Sequence, residues 1–300
     1  MVRSLLSGAT QDDTPVRMEK HMSQALTRVF RRTAGVACVA GAVTAAGCAP
    51  QISTQQEQQI GAQYSQQINR QMPMLNDQAT NSYVNQIGSR LAAIADARGI
   101  RYTFYVVNSD VVNAFALPGG YIYVNRGLIE RADNLSEFAG VLAHEIGHVA
   151  ERHSVEQLQR AQNANMGLAV LYGVLLGRNP SGVEQTAVNV GGGAIFAGYG
   201  RDAEREADRV GVGYMVRAGY NPNGMATFFE ELLEMQRRQP SRVEQWFSTH
   251  PTTQERVNNT RAIIAQTPGA QSASLTTDTR AFQNFRSRVT SLPAPPDRRR

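Results

Sequence analysis

The amino-acid sequence predicts an α+β fold that is mainly helical and carries one small antiparallel sheet. Apolar residues recur at the spacing of helix faces over much of residues 54–240. Between residues 102 and 125, β-branched and aromatic residues concentrate instead in three short runs. A Pro-Gly-Gly turn at 118–120 separates the last two runs, as expected for adjacent antiparallel strands. The chain after residue 47 is long enough for one domain with a sizeable core.

The first 47 residues have the composition of a secretory signal. Three arginines precede the small apolar run 34–46, which is too short to cross a bilayer because a helical span needs about twenty residues. Residues 1–21 lie upstream of a conventional signal, so we expect translation to start at Met18 or Met22.

The apolar run ends in small residues before Cys48, a pattern that resembles a bacterial lipobox. The resemblance implies cleavage before Cys48 and lipidation of that cysteine, so that residues 48–53 become a tether to the membrane. Ala49 at the next position favours the outer membrane, by analogy with lipoprotein sorting. A plain secretory signal or a short anchor is the alternative interpretation.

Charge and cysteine content argue against two other classes of protein. Residues 1–47 hold six of the 30 basic and three of the 25 acidic side chains, which leaves 24 against 22, or +2, for the rest. Because no basic stripe is interleaved with aromatic residues, nucleic-acid binding is not expected. Cys38 leaves with the signal and Cys48 is lipidated, so neither a disulfide nor a cysteine-ligated metal is expected.

The first predicted elements are two amphipathic helices, at 54–71 and 77–98, which are followed by the three strands of the sheet. The exposed edge of this sheet could bind an extended peptide through main-chain hydrogen bonds. The candidate substrate-binding residues are Asn113, Ala114, Phe115 and Ala116. A purely structural hairpin is the alternative.

Residues 133–153 are predicted to form a buried amphipathic helix, and they contain His-Glu-Ile-Gly-His at 144–148. Residues four apart lie on one face of a helix, so His144 and His148 can bind one zinc ion together. Glu145 lies close enough to act as general base toward a water on that ion. The alternative is a core helix with two hydrogen-bonded histidines. Two stacked imidazoles and a carboxylate, however, need partners that apolar neighbours cannot supply.

A third protein ligand is expected on the next strongly predicted helix, at 201–219. Glu204 and Asp208 are four apart and share a face of this helix, whereas Glu206 points away. We therefore assign Glu204 to the metal and Asp208 to a hydrogen bond that orients a metal-bound histidine. Glu206 is expected on the surface, paired with a nearby arginine.

The rest of the chain carries weaker signals. Residues 155–199 join the two metal helices, and their apolar stretch 166–177 is too short for a span, so we expect it to pack over the site. Residues 222–240 are predicted to be another helix. Ser, Thr, Pro and Arg dominate after residue 266, which predicts a folded domain at 54–266 and a polar, disordered tail at 267–300.

Four motifs together resemble the HtpX-like and CAAX-prenyl-protease-like family of gluzincin metallopeptidases. They are VLAHEIGHVAERHSV at 141–155, EREAD at 204–208, NAFALPGGYIYVNRGLI at 113–129 and STHPTTQER at 248–256. The similarity runs from about residue 52 to 265, and no tetratricopeptide module follows it, so we expect a minimal member. HtpX-like relatives carry transmembrane helices around the catalytic domain, whereas no span is predicted here.

The resemblance implies a zincin-like catalytic domain with one zinc ion per chain and peptide hydrolysis by metal-activated water. It also places the segment 248–256 at the rim of the metal cleft. There His250 could donate a hydrogen bond to the developing oxyanion, or occupy the fourth position on zinc and hold the enzyme latent. Arg256 could pair with Asp208 or with a substrate carbonyl. His153, by contrast, is expected to complement the dipole at the end of the first metal helix.

Three functional hypotheses follow. The leading one is a zinc endopeptidase tethered to the periplasmic face of the outer membrane of a Gram-negative bacterium, acting on unfolded or misassembled envelope proteins. The second is a chaperone or outer-membrane assembly factor, in contact with the assembly machinery, whose peptidase activity is latent or dispensable. The third is a structural-zinc scaffold. Glu145 argues against the scaffold, because a structural zinc site needs no general base.

Overall fold

A computed structural model of the protein describes residues 51–95, 98–164 and 198–295. The chain divides into units 1–49 and 50–300, and all described residues belong to the second. The predicted signal, Cys48 and the apolar stretch 166–177 lie outside the described residues. Within the part of the chain that is described, no helix is both long enough and apolar enough to cross a bilayer.

Helices and strands follow in an order close to the predicted one. Their bounds are α1 Thr54–Gln71, α2 Gln78–Ala95, β1 Thr103–Val107, β2 Ala114–Leu117, β3 Tyr121–Asn125, α3 Arg126–Arg131, α4 Leu135–Ala150, α5 His153–Ala164, α6 Arg201–Arg217, α7 Asn223–Arg238, α8 Pro240–Thr249, α9 Gln254–Gln266 and α10 Arg280–Ser291. The predicted α+β class, mainly helical, is confirmed.

The three strands form one mixed sheet in the order β1-β3-β2. Strand β3 pairs antiparallel with β2 and parallel with β1, so the predicted sheet exists but is not purely antiparallel. Residues 108–113 leave the sheet after β1 instead of turning in a hairpin, and the N–H of Val112 donates to the carbonyl of Arg242 (2.9 Å). The hairpin from β2 to β3 turns through Gly119 and Gly120, whose φ angles of 75° and 90° favour glycine.

Helix α1 covers the outer face of the sheet. Ser53 and Gln56 form a capping box, in which Ser53 Oγ accepts from the N–H of Gln56 (3.2 Å) and Gln56 Oε1 accepts from the N–H of Ser53 (2.8 Å). Ile52 is buried against Val155 of α5, so the end of the predicted tether belongs to the folded part of the chain.

Helix α4 lies at the centre of the fold, and every residue from Leu135 to Val149 is buried. Its first turn is capped by Asn134, whose side chain accepts a hydrogen bond from the N–H of Glu137 (3.1 Å). It contacts α2, α6, α7 and strand β2. The sheet therefore packs on the helix that carries His-Glu-Ile-Gly-His, as predicted.

Helix α6 runs beside α4 at unusually close range. A Cβ atom at Gly147 would lie only 3.0 Å from the carbonyl oxygen of Ala207, so a side chain at this position would push the helices apart. The glycine within the His-Glu-Ile-Gly-His motif thus lets the two helices meet. This approach brings Glu204 and Asp208 of α6 to the histidines of α4.

Helix α10 corrects the predicted disordered tail. Its apolar residues Phe282, Phe285 and Val289 follow a spacing of three and four and are buried in the main core. The rings of Phe282 and Phe138 of α4 are 5.9 Å apart, and Thr279 caps the helix through the N–H of Phe282 (3.1 Å). The folded domain therefore extends beyond residue 266.

Candidate metal centre

Four side chains from two helices and a loop converge at the centre of the domain. His144 and His148 of α4 bring their Nε2 atoms within 3.0 Å of each other. Nδ1 of His250, from the loop after α8, lies 3.3 Å from Nε2 of His144 and 3.0 Å from Oε1 of Glu204 on α6. All four side chains are buried. The structure therefore brings together the three predicted metal ligands and the candidate fourth one.

The separations between these atoms fit a single tetrahedral metal ion. Two further distances, from His148 Nε2 to Glu204 Oε1 and from His144 Nε2 to Glu204 Oε2, measure 3.3 Å and 3.6 Å. Metal–ligand bonds of about 2.0–2.1 Å in tetrahedral geometry imply edges of about 3.3–3.4 Å. The ligand atoms of these four buried side chains all lie within 4.8 Å of one another. The other such group of acidic or histidine side chains among the described residues is partly exposed. The four buried side chains can hold one metal ion.

The protein environment gives two of the four side chains, His148 and Glu204, the protonation state that a metal needs, whereas Glu145 and Glu204 outweigh burial and raise the pKa of His250. Burial, followed by the neighbouring His144, holds the pKa of His148 well below its ordinary value, so the ring is neutral. Burial alone would raise the pKa of Glu204. The charges of Arg256 and His250 outweigh burial, and the pKa of Glu204 falls well below its ordinary value. A neutral imidazole and an ionised carboxylate are the forms that bind metal ions.

Glu145 is buried beside this cluster without a hydrogen-bond partner. Neither carboxylate oxygen accepts a hydrogen bond from a described residue, although Oε1 lies 3.4 Å from Nε2 of His250. Burial raises the pKa of Glu145 against the opposing effects of His250 and His144. A buried carboxylate left without hydrogen bonds is costly, and such groups concentrate where proton transfer is required.

Asp208 connects His144 to a buried arginine. Its Oδ1 lies 2.9 Å from Nδ1 of His144. Arg256 donates to the same carboxylate from Nε (2.8 Å) and Nη2 (2.7 Å), a two-pronged pair, and its Nη1 contacts Glu204. The guanidinium also lies over the ring of Phe229, 4.3 Å from its centre. Of the two partners predicted for Arg256, the structure shows Asp208.

His153 differs from its predicted role. Helix α4 ends at Ala150, and Arg152, with a φ of 62°, turns the chain so that His153 begins α5. Its ring is buried, with Nδ1 2.9 Å from Nδ1 of His148 and Nε2 3.4 Å from Oε2 of Glu206. Burial lowers the pKa of His153, so the ring is neutral and does not complement a helix dipole. The dipole prediction is wrong.

Glu206 lies on the surface, as predicted, with 46% of its side chain exposed. Its Oε1 is 3.5 Å from Arg209, one of the two neighbouring arginines, whereas Arg205 pairs with Asp202. The second oxygen of Glu206 faces His153, a contact that the sequence did not predict. Glu206 is therefore not one of the clustered ligands, but it contacts His153, which in turn contacts His148.

Sequence reasoning also missed Tyr199. Its ring stacks on His148 at a centroid distance of 3.8 Å and an angle of 14°. Its hydroxyl shares a hydrogen bond with Ser154 Oγ (2.7 Å), and its N–H donates to the carbonyl of Thr249 (3.0 Å), next to His250. Tyr199 follows no periodic pattern in the sequence, because it lies just before α6, outside the helices and strands of the described residues.

The predicted substrate-binding residues lie on or beside the edge strand β2. Ala114 and Ala116 belong to the core that includes α4, and Phe115 stacks on Tyr123 of β3 at 4.8 Å. The carbonyl of Asn113 accepts from the N–H of Asn125 (2.9 Å). All four residues are almost fully buried, main chain included, so the sheet edge that was predicted to be exposed is covered in this structure.

Comparison with known families shows a match to the description "Peptidase family M48" over residues 78–264. The chain belongs to peptidase family M48. The matched span contains the sheet, both metal helices and the loop with His250, so every clustered ligand of this M48 member lies inside it. The predicted resemblance to gluzincin metallopeptidases is confirmed.

Three proteins of known name are similar in sequence to this M48 member. It is 32% identical over 229 residues to the beta-barrel assembly-enhancing protease of Escherichia coli (strain K12), covering 70% of this chain and 44% of that one. It is 29% identical over 201 residues to the mitochondrial metalloendopeptidase OMA1 of Schizosaccharomyces pombe, covering 66% and 56%. Identity to the metalloprotease YcaL of Escherichia coli (strain K12) is 32% over 193 residues, covering 60% and 71%. The chain thus spans less than half the length of the first relative.

Proposed function

We propose that the protein is a zinc-dependent endopeptidase that degrades unfolded or misassembled polypeptides of the bacterial envelope. The observation that carries this proposal is the buried carboxylate of Glu145, which lies beside the candidate metal ligands and accepts no hydrogen bond from a described residue. Two imidazoles and one carboxylate, with a further position for water, are a ligand set of catalytic zinc sites. The relatives named above are each named as a protease or endopeptidase, which favours catalysis over a chaperone whose peptidase activity is dispensable.

The chemistry divides between the ion and the protein. When bound, zinc supplies Lewis acidity that lowers the pKa of a water molecule and polarises the scissile carbonyl. Glu145 accepts a proton from the attacking water and passes it to the leaving amine. Its pKa, raised by burial, brings it closer to neutral pH, where it can both accept and return a proton. Asp208 accepts the Nδ1–H of His144, which would leave the Nε2 lone pair of that ring free to bind the ion.

Chelation tests the zinc requirement directly. The purified protein should contain one zinc ion per chain and hydrolyse casein. A chelator should remove both properties, and added zinc should restore them. Casein turnover that persists in the chelated, metal-free protein would contradict the proposal.

We further propose that His250 would take the fourth position on a bound zinc ion in this conformation and so keep the basal turnover low without abolishing it. Its Nδ1 lies at hydrogen-bond distance from ligand atoms of both His144 and Glu204, which is where a fourth ligand belongs. The alternative role, donation to an oxyanion, predicts the opposite effect of a mutation. At saturating zinc, His250→Ala should raise casein turnover if the ring blocks water and lower it if the ring stabilises the oxyanion. We expect a rise.

The edge of β2 is our proposed binding site for the substrate main chain. Residues 113–116 lie at the edge of the sheet and next to α4, and an extended peptide that displaced their present cover could add there as a further strand. Peptide substrates that are N-methylated at alternate amides should then show a higher KM, because they lose donors to β2. An unchanged KM for every methylated position would argue against this site.

We also propose a location at the periplasmic face of the outer membrane, held by a lipid on Cys48. Support comes from the lipobox-like sequence and from the relative named for β-barrel assembly, which also makes the assembly machinery a candidate partner. Mass spectrometry of membrane-extracted protein should show cleavage before Cys48 and a diacylglyceryl addition. Cys48→Ser should remain unprocessed. An unmodified protein that begins at another residue would exclude the anchor.

A further inference from the structure

His148 meets a second histidine on the side that faces away from the clustered ligands. Its Nε2 belongs to the ligand cluster, and its Nδ1 lies 2.9 Å from Nδ1 of His153. Both rings are buried, and their planes are inclined by 70°. Two ring nitrogens at this distance must share one proton, because two lone pairs would repel and two N–H groups would clash.

We propose that His153 is a positioning residue for the metal ligand His148, and that Glu206 supports it from the surface. The inference rests on the proposed metal site and deepens it. An imidazole that binds a metal through Nε2 carries its proton on Nδ1, so His148 donates and His153 accepts. The proton of neutral His153 is then on Nε2, which faces Oε2 of Glu206 at 3.4 Å. The Nδ1–H of His148 thus donates to Nδ1 of His153, and the Nε2–H of His153 faces Oε2 of Glu206.

The local chain path is built to place His153 there. Arg152 adopts a φ of 62° between α4 and α5, and its side chain is held by the buried carboxylate of Glu57 (3.0 Å from Nε). This turn directs the first residues of α5 back toward His148. Ser154, the next residue, binds the hydroxyl of Tyr199, whose ring covers the face of His148. The ring of His148 is therefore fixed at its edge by His153 and on its face by Tyr199.

The expected consequence concerns metal affinity more than folding. Loss of an outer hydrogen-bond partner of a metal-bound histidine typically weakens metal binding by about 10–100-fold. His153 is neutral, and its one charged contact, Glu206, is close to half exposed and lies beside Arg209, so replacing His153 leaves no unpaired buried charge. A side chain of similar size that keeps an acceptor near the position of Nδ1 should therefore preserve most of the affinity.

Asparagine and leucine at position 153 make a matched pair. Both branch at Cγ and have similar volume, but only asparagine can place an oxygen where Nδ1 of His153 lies. The zinc dissociation constant of the full chain should be measured by competition with a chromophoric chelator. We expect His153→Leu to weaken zinc binding by about 10–100-fold and His153→Asn by roughly tenfold or less. Thermal unfolding of the two metal-free variants should be similar.

Equal zinc dissociation constants for the Leu and Asn variants would overturn the inference, because the acceptor at position 153 would then be irrelevant. A parent protein that binds no zinc would instead overturn the proposed function together with the inference. If the Leu variant fails to fold, ¹⁵N NMR of the zinc-loaded parent decides. Nδ1 should then be protonated in His148 and unprotonated in His153, and the reverse pattern would contradict the assignment.

Discussion

His144 and His148 lie one turn apart on the same helix, yet the protein holds their rings by different means. Nδ1 of His144 faces Asp208, a buried carboxylate that is paired with the buried Arg256. Nδ1 of His148 faces the neutral ring of His153. The charged group beyond His153, Glu206, is close to half exposed. One ligand thus has a buried ion pair behind it, and the other a neutral side chain.

The difference teaches that one candidate metal site can combine two kinds of support. Removing one partner of a buried ion pair leaves an uncompensated charge, which typically costs about 3–5 kcal/mol. A neutral hydrogen-bond partner contributes about 0.5–1.5 kcal/mol and acts mainly through geometry. We therefore expect the His144 side to matter for both folding and metal binding, and the His148 side mainly for metal binding.

The largest effects should come from the ligands themselves. Alanine in place of His144, His148 or Glu204 should each abolish tight zinc binding, as measured by metal content after dialysis. Glu206→Ala is the matched control on the same helix as Glu204, because its carboxylate lies outside the ligand cluster. That variant should keep its zinc. Loss of zinc from Glu206→Ala together with retention by Glu204→Ala would reverse the ligand assignment.

Asp208→Asn should weaken the buried ion pair behind His144. The change removes one of the two carboxylates that Arg256 pairs with, Glu204 being the other, and the guanidinium stays buried. We expect the free energy of unfolding of the metal-free protein to fall by about 3–5 kcal/mol in urea titrations. Glu206→Gln, at an exposed position, should change it by about 0.5 kcal/mol or less. Similar losses of unfolding free energy in the two variants would contradict the difference between the partners of His144 and those of His148.

Phe282→Ala should separate stability from metal binding. The phenyl ring packs against Phe138 of α4, away from the ligand atoms. Loss of a buried phenylalanine typically costs about 3–5 kcal/mol. Zinc affinity of the folded variant should stay close to that of the parent. An unchanged unfolding free energy would show that α10 does not belong to the core.

The partly exposed pair of Asp77 and Arg288 should show the smallest effect and a defined pH dependence. Hydrogen bonds from Arg288 and Thr80 hold the pKa of Asp77 below its ordinary value. A carboxyl group whose pKa is lower in the folded state stabilises the protein above its unfolded pKa of about 4, and this contribution is lost as pH falls. Asp77→Asn should therefore destabilise the protein slightly at pH 7, and the difference from the parent should shrink in acid. A difference that grows in acid would contradict this sign.

The most accurate predictions from the sequence concern residues that share one helix. His144, Glu145 and His148 share one helix, and Glu204 and Asp208 share another, so spacing alone placed them on common faces. His250 and Arg256 were identified only through the family resemblance. Their approach to the site depends on how α8 and α9 pack, which no periodicity encodes.

Three errors have physical reasons in particular residues. The chain breaks its helix at Arg152 without glycine or proline, so His153 could not be placed from spacing. Helix α10 was missed because arginine, serine and threonine surround Phe282, Phe285 and Val289, although their spacing is helical. The parallel pairing of β1 follows from the path of residues 108–113, which is fixed by tertiary contacts.

The central claim is that Glu145 acts as the general base of a zinc peptidase, and Glu145→Gln tests it most directly. Glutamine keeps the shape of the side chain but cannot accept the proton from water. Zinc content, thermal unfolding and casein turnover should be measured side by side for this variant and the parent. We expect one zinc ion and an intact fold in both, with turnover lower by at least about two orders of magnitude in the variant. Undiminished casein turnover by the zinc-loaded variant would contradict the account.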